Sequence, residues 1–293
     1  MMAESAYIGR FAPSPSGPLH LGSLVAALGS FLQARSQQGQ WLVRIEDIDP
    51  PREVAGASGL ILSQLDAHGL HWDGQVLYQS QQSERYDALL AQLSGAGQSY
   101  ACHCTRAKIK QEGGHVRCLA AKNTQAGPAA IRFLNQQPVY SFRDEHLGLV
   151  KVEATQAEED FVVRRKDGLY AYQLAVVADD IEQGITQVVR GADLLDVTVL
   201  QVALYHALGA AAPTWLHLPV ASTRPGLKLS KQNHAPALDN YQALKNVRRA
   251  LSILGFPDAV LTEFSQLEKL LEWACRNWSP ALLPPQREVL VEQ

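Results

Sequence analysis

A chain of 293 residues with 46% hydrophobic and 19% charged residues is long enough to bury a full core, and two domains are expected. That balance excludes intrinsic disorder as the main state. With no long apolar run and no basic-then-apolar amino terminus, it points to a cytoplasmic protein with no membrane partner. The net charge of −3 excludes a whole-molecule attraction to nucleic acid, so any RNA contact would fall on local basic patches.

Tyr7–Phe11 reads as a strand, followed by a rigid run, Arg10-Phe-Ala-Pro-Ser-Pro-Ser-Gly-Pro-Leu-His-Leu-Gly-Ser23. Leu21, Leu24, Val25, Leu28 and Leu32 then recur at helical spacing, so the Pro-rich loop hands over to a helix N-terminus. Such a terminus offers backbone N–H groups and a positive dipole end, both suited to phosphate. His20 and Ser23 stand where that helix begins, and Gly22 leaves room for a nucleotide against the backbone. Trp41–Ile45 is a second apolar strand, and strand, helix and parallel strand make a right-handed crossover unit. Nucleotides bind outside the carboxyl ends of such strands, where residues 13–18 lie. Helical patterns follow at Val54–Leu65 and Glu84–Leu93.

Composition changes from Tyr100 to about Lys122, which holds three of the four cysteines and many basic residues. Cys102, Cys104, His115 and Cys118 offer soft ligands at a spacing that fits a closed Cys₃His zinc site. The fourth position is open between His115 and the alternatives His103 and Tyr100. Free thiols are the bland reading of the same residues, and Cys275 reads as a small buried apolar residue. Strand-like segments Ala130–Leu134, Val139–Arg143 and Gly148–Val152 continue this insertion. Phe161–Arg165 and Tyr170–Leu174, joined through Asp167-Gly168, read as a hairpin. Gln187–Arg190 reads as a strand, Asp193 to about Leu208 as a helix, and His217–Val220 leads into Lys228-Leu-Ser-Lys231. The two ammonium groups of Lys228 and Lys231 suit the charge that builds on leaving pyrophosphate. The last fifty residues read as two or three amphipathic helices. Basic clusters at Arg106/Lys108/Lys110, Arg164/Arg165/Lys166 and Lys245/Arg248/Arg249 are candidate RNA contacts, although such clusters are commonly solvated faces. Arg10 and Arg190 read either as partners of nearby carboxylates such as Asp193 or as cations for an anionic substrate.

In these motifs, together with Leu42–Asp49 and Val189-Arg-Gly-Ala-Asp193, the chain resembles class I aminoacyl-tRNA synthetases of the glutamyl type over residues 7 to about 240. Residues 232–293 are too few for the family's large anticodon-binding domain, and in this the chain is similar to the truncated glutamyl-queuosine tRNA(Asp) synthetases. The resemblance implies an α/β, Rossmann-like catalytic domain with a small zinc-binding insertion and a short C-terminal helical region. Expected boundaries are 1–99 and 161–235 for the two catalytic halves, 100–160 for the insertion and 236–293 for the helices. It implies glutamate contacts from Arg10, Phe11, Ala12, Pro13, Ser14, Glu46, Tyr172 and Arg190. Arg10 would meet the side-chain carboxylate and Glu46 the ammonium. ATP would be held by His20, Gly22, Ser23 and Lys231, with His20, Lys228 and Lys231 catalytic. Cys102, Cys104 and Cys118 match the family's zinc ligands, whose fourth member is often a tyrosine, so His115 departs from the pattern.

The expected activity is tRNA-independent formation of glutamyl-adenylate from ATP with Mg²⁺, then transfer to the cyclopentenediol of queuosine on tRNA(Asp). A monomer is expected. The rival readings are a minimal enzyme charging tRNA(Glu), a non-catalytic RNA-binding paralogue and a zinc-ribbon interaction protein.

Overall fold

The computed structural model describes residues 6–111, 115, 127–229, 233 and 235–291. β1 (Ile8–Phe11), α1 (Leu21–Ser36) and β2 (Gln40–Ile45) form the crossover unit read from the sequence, with β1 and β2 parallel from Ile8↔Gln40 to Phe11↔Val43. The chain returns through α2 (Ala57–Ala67) to β3 (Leu77–Tyr78), which pairs parallel with β2, and then runs through α3 (Ser83–Gly95). α1 is buried along most of its length, with Leu24, Ala27, Leu28, Leu32 and Ala34 all in one buried core and Ser30 accepting from the indole N–H of Trp41 on β2.

β4 (Ser99–Cys102), α4 (Arg106–Gln111) and β5 (Ala130–Phe133) open the insertion, followed by β6 (Ser141–Asp144), β7 (Gly148–Lys151), α5 (Ala154–Ala157) and β8 (Val162–Arg164). β4, β5 and β8 make one antiparallel sheet. The hairpin β6–β7 does not continue it. It joins the sheet completed by β9 (Gln187–Gly191) and β10 (Thr214–Leu218), in the order β7-β6-β10-β9. Phe142 and Val150 explain the choice: both are buried in the core shared with Val188, Leu204 and Trp215. Thr186, just before β9, donates its N–H to Ile8 O at 2.9 Å and accepts from Ile8 N at 2.9 Å, which ties the two sheets edge to edge through the parallel strands β1 and β9.

The hairpin expected around Asp167-Gly168 forms only at its root, as an isolated bridge between Arg164 and Tyr170. Residues after Tyr170 turn into α6 (Tyr172–Glu182) instead. The alternation at Tyr170, Tyr172 and Leu174 was too short to decide. The apolar run Leu174–Ala178 buries every side chain in a helix, and Gly184 (φ 62°) supplies the left-handed residue that ends it. The helix expected from Asp193 begins later: a 3₁₀ turn at Ala192–Leu194 precedes α7 (Thr198–Ala207).

β11 (Val220–Arg224) and β12 (Leu227–Lys228) carry the lysine loop. The remaining chain holds α8 (Ala243–Ile253), α9 (Asp258–Leu261), α10 (Leu267–Asn277) and β13 (Glu288–Leu290), the last pairing parallel with β11. α8 and α10 do not stand apart. Val247, Leu251, Leu270 and Ala274 share one buried core with Leu28 and Leu32 of α1. Trp278 closes that core by donating its indole N–H to Gln33 Oε1 at 2.7 Å. No helix among the described residues is long and apolar enough to cross a membrane.

Candidate active site

A cavity of about 270 Å³ opens at the carboxyl ends of β1, β9 and β10, lined among others by Arg10, Glu46, Tyr172, Arg190, His20 and Lys228. Phe11, Ala12, Gly22 and Ser23 complete the part of its wall that the sequence singled out. Ser14 instead lines a neighbouring cavity of about 380 Å³, which shares only Glu46 and Tyr172 with the first. Pro13 lines neither cavity; its carbonyl accepts the Glu46 N–H at 3.0 Å and fixes where that carboxylate stands. Lys231 and Cys118 lie outside the described residues.

His20 is the N-cap of α1, and its Nδ1 accepts from Ser23 N at 3.2 Å. That bond places the ring proton on Nε2, so the imidazole can donate from the cavity wall. It also occupies one of the helix-start N–H groups expected to be open to phosphate. A Cβ at Gly22 would stand 3.1 Å from the His20 ring and 3.4 Å from Leu229 O, so a side chain here would crowd the imidazole and the lysine loop together. Lys228 ion-pairs with Asp193. The carboxylate expected beside Arg10 or Arg190 therefore holds the lysine of the loop.

The two cavity guanidiniums are treated differently. Arg10, 4% exposed, gives its Nε and Nη2 to Asp180 at 2.9 and 3.3 Å. Burial opposes its charge, but Asp180 more than offsets this and holds the guanidinium pKa above its ordinary value. Asp180 also accepts from the fully buried Arg44 at 2.5 Å. Asp180 is therefore held below the usual carboxylate range: its burial would raise the pKa, and the two arginines overcome that.

Arg190 has no carboxylate among its hydrogen-bond partners within the described residues. Its Nε donates to His217 Nε2 at 3.2 Å, Nη1 to Gln201 Oε1 at 2.8 Å, and Nη2 to Thr198 Oγ1 at 2.9 Å and Leu194 O at 3.2 Å. It lies 4.9 Å over the Trp215 ring, and its pKa is lowered, first by burial. Arg190 is a desolvated cation whose hydrogen bonds all go to neutral acceptors, so its charge is available to an anion. Glu46 lines both cavities, and burial, opposed by Arg44 and Arg10, pushes its carboxyl up to about 7. Binding a cation in the cavity would return it to the charged form. Tyr172, the first residue of α6, adds a phenol whose pKa burial raises.

Sequence reading found the cavity wall and missed its supports, Asp180, Arg44, His217, Asp144 and Gln201. Asp180, Asp144 and His217 come from elements distant in sequence from the arginines they support, while Arg44 stands two residues before Glu46 and Gln201 eleven after Arg190.

The second candidate centre forms at the end of β4. Cys102, Cys104 and His115 offer ligand atoms all within 4.8 Å of one another, and His115 Nε2 lies 3.2 Å from Cys102 Sγ. Two thiols and an imidazole so close, with Cys102 and His115 buried, fit a tetrahedral zinc ion. The Tyr100 hydroxyl donates to Asp160 at 2.8 Å. Among the basic clusters, Arg165 is already paired with Asp49 at 2.9 Å and Asp167 at 2.6 Å, and Arg164 with Asp87 at 3.5 Å.

Residues 8–277 match the family described as tRNA synthetases class I (E and Q), catalytic domain. A glutamyl-Q tRNA(Asp) synthetase of Serratia proteamaculans is 52% identical over 100% of this chain and 97% of its own length. The chain belongs to the glutamyl-Q tRNA(Asp) synthetases of class I. Its similarity to the proteins of that name from Shewanella amazonensis (52% identical, 99% of each chain) and Escherichia coli K12 (50% identical, 97% of this chain and 92% of that one) is of the same order. As a class I synthetase it is an ATP-dependent, ligase-type enzyme. A solved glutamate tRNA ligase of Elizabethkingia meningosepticum superposes with TM-score 0.79 at 24% identity, covering 96% of this chain and 66% of that one. That likeness carries the fold.

Proposed function

We propose that this chain activates L-glutamate with ATP without tRNA and transfers it to the cyclopentenediol of queuosine at the wobble position of tRNA(Asp). The observation that carries the reading is the pairing of two groups in one cavity. Arg190, Tyr172, Arg10 and Glu46 match the carboxylate and ammonium of glutamate, while His20, Gly22, Ser23 and Lys228 match a nucleotide phosphate. The α-carboxylate oxygen attacks the α-phosphorus and pyrophosphate leaves. A diol hydroxyl then attacks the carbonyl of glutamyl-adenylate and AMP leaves. Positioning and electrostatics supply the rate, with Lys228 and Lys231 meeting the charge on pyrophosphate and Mg²⁺ accompanying ATP. We place the acceptor's entry at the neighbouring cavity, which touches the first at Glu46 and Tyr172.

Transfer of labelled glutamate tests the reading. Labelling of queuosine-bearing tRNA(Asp), with none of tRNA(Asp) lacking queuosine and none of tRNA(Glu), is expected. Labelling of tRNA(Glu) would make the chain a minimal charging enzyme.

Glutamate use should depend on pH through Glu46. The free-enzyme carboxyl ionises near 7, so kcat/KM for glutamate falls tenfold per unit as pH drops below that value. Glu46→Gln is expected to remove this limb and to lower kcat/KM at high pH. A limb unchanged in the variant would assign it to another group.

We assign zinc to Cys102, Cys104, His115 and Cys118, where it would pin the end of β4 to the segment that carries His115. The insertion is then β4, β5 and this cluster, its sheet completed by β8 from the second catalytic half, with β6 and β7 on the catalytic sheet. The remaining boundaries stand as proposed, at 1–99, 161–235 and 236–293. Elemental analysis is expected to give about one zinc ion per chain, and Cys104→Ser to lose it together with thermal stability. Metal-free protein of unaltered stability would reject the assignment.

A further inference from the structure

We propose that His217 is the positioning residue of the substrate-carboxylate pocket: a neutral imidazole, held in one tautomer by Asp144, that aims the Arg190 guanidinium into the cavity and so sets the preference for glutamate over glutamine. The inference rests on the glutamate reading of the cavity.

The strands bring this about. Arg190 on β9 and His217 on β10 are register partners in a parallel pair. Trp215, two residues earlier on β10, lies under the same guanidinium. His217 is 1% exposed, and its Nδ1 lies 2.7 Å from Asp144 Oδ2. Asp144 is itself over-determined. It accepts from the backbone N–H groups of His146, Leu147 and His217, which with the imidazole hold it ionised against its burial. An ionised Asp144 requires the proton on His217 Nδ1, which leaves the Nε2 lone pair as the acceptor for Arg190 Nε–H. Burial, and the positive Arg190, favour the uncharged ring, with Asp144 opposing.

The contrast with Arg10 shows what the device achieves. Arg10 is held by a carboxylate in direct contact, so its charge is already matched. Arg190 is oriented just as firmly, but the carboxylate stands one imidazole away. A carboxylate touching Arg190 would compete with an anionic substrate. The neutral ring fixes direction and leaves the charge for the ligand. An amide side chain would leave that buried cation unpaired, and this is the physical basis of the selectivity.

Glutamate-dependent pyrophosphate exchange on the full-length enzyme, with KM measured separately for glutamate and ATP, tests the proposal. His217→Leu is expected to raise KM for glutamate about 10- to 100-fold, the range of one lost charge-assisted hydrogen bond. KM for ATP should not move, and the kcat/KM ratio of glutamate to glutamine should fall. His217→Gln, whose Oε1 can accept from Arg190 Nε, is expected to recover most of the loss. The proposal is overturned if KM for glutamate is unchanged in His217→Leu, if both KM values rise together, or if His217→Gln folds with wild-type Tm yet recovers nothing. Absence of glutamate-dependent exchange in the wild-type enzyme would instead remove the glutamate reading, and the proposal with it.

Discussion

Arg190→Met is expected to lower kcat/KM for glutamate in pyrophosphate exchange by at least about 100-fold, with a smaller loss of stability than breaking a buried ion pair gives. The loss follows from what faces the substrate. Arg190 is 6% exposed and its hydrogen-bond partners are all neutral, so no carboxylate in direct contact takes up its charge. Without it, a substrate carboxylate would be desolvated with no cation to meet it. Stability falls less than at a paired arginine, because removing a buried charge offsets part of the about 1–3 kcal/mol that each buried acceptor left without its donor costs. A methionine also fills most of the arginine's apolar stem. Steady-state exchange and a thermal melt decide the matter together. A variant that loses stability and keeps glutamate turnover would make Arg190 a structural residue.

The opposite result is expected one strand away. Asp180→Leu should lower stability by about 3–5 kcal/mol, because Arg10 and Arg44 then lie buried without their shared carboxylate. For a chain of this size that is roughly 10 °C in Tm. The pH dependence carries a sign. The folded pKa of Asp180 is depressed, so its contribution is fully present above the unfolded value of about 3.9 and is lost as pH falls through the folded value. The stability gap between wild type and variant should therefore hold steady from pH 5 to 7 and narrow towards pH 3. Should the Leu variant fail to fold, Asp180→Asn gives the same sign with a smaller gap. A gap that does not change with pH would mean that packing, and not charge, fixes Asp180 in place.

These two expectations separate residues that the sequence had grouped. Arg10 and Arg190 both stand in recognisable motifs at strand ends, and nothing near them in sequence tells which is neutralised. Asp180 is 170 residues from Arg10 along the chain, and it meets the arginine only because the fold brings α6 to the end of β1. The local pattern at Tyr170–Leu174 even favoured a strand. A strand there would have put the aspartates elsewhere.

What the sequence determined by itself is whatever local chemistry enforces. The prolines of residues 13–18, the His20 cap and the apolar spacing behind it specify a loop and a helix start regardless of what packs around them. The Cys-x-Cys pair likewise brings two thiols together by its spacing alone, whereas the fold brings the ring of His115 within 4.8 Å of both. Tertiary structure decided what depends on meeting across the chain. It assigned β6 and β7 to the catalytic sheet, Asp193 to Lys228, Asp180 to two arginines, and a neutral histidine to the third. Those outcomes turn on desolvation, which strengthens or penalises a charge according to which groups the fold buries beside it, and no spacing along one strand records that.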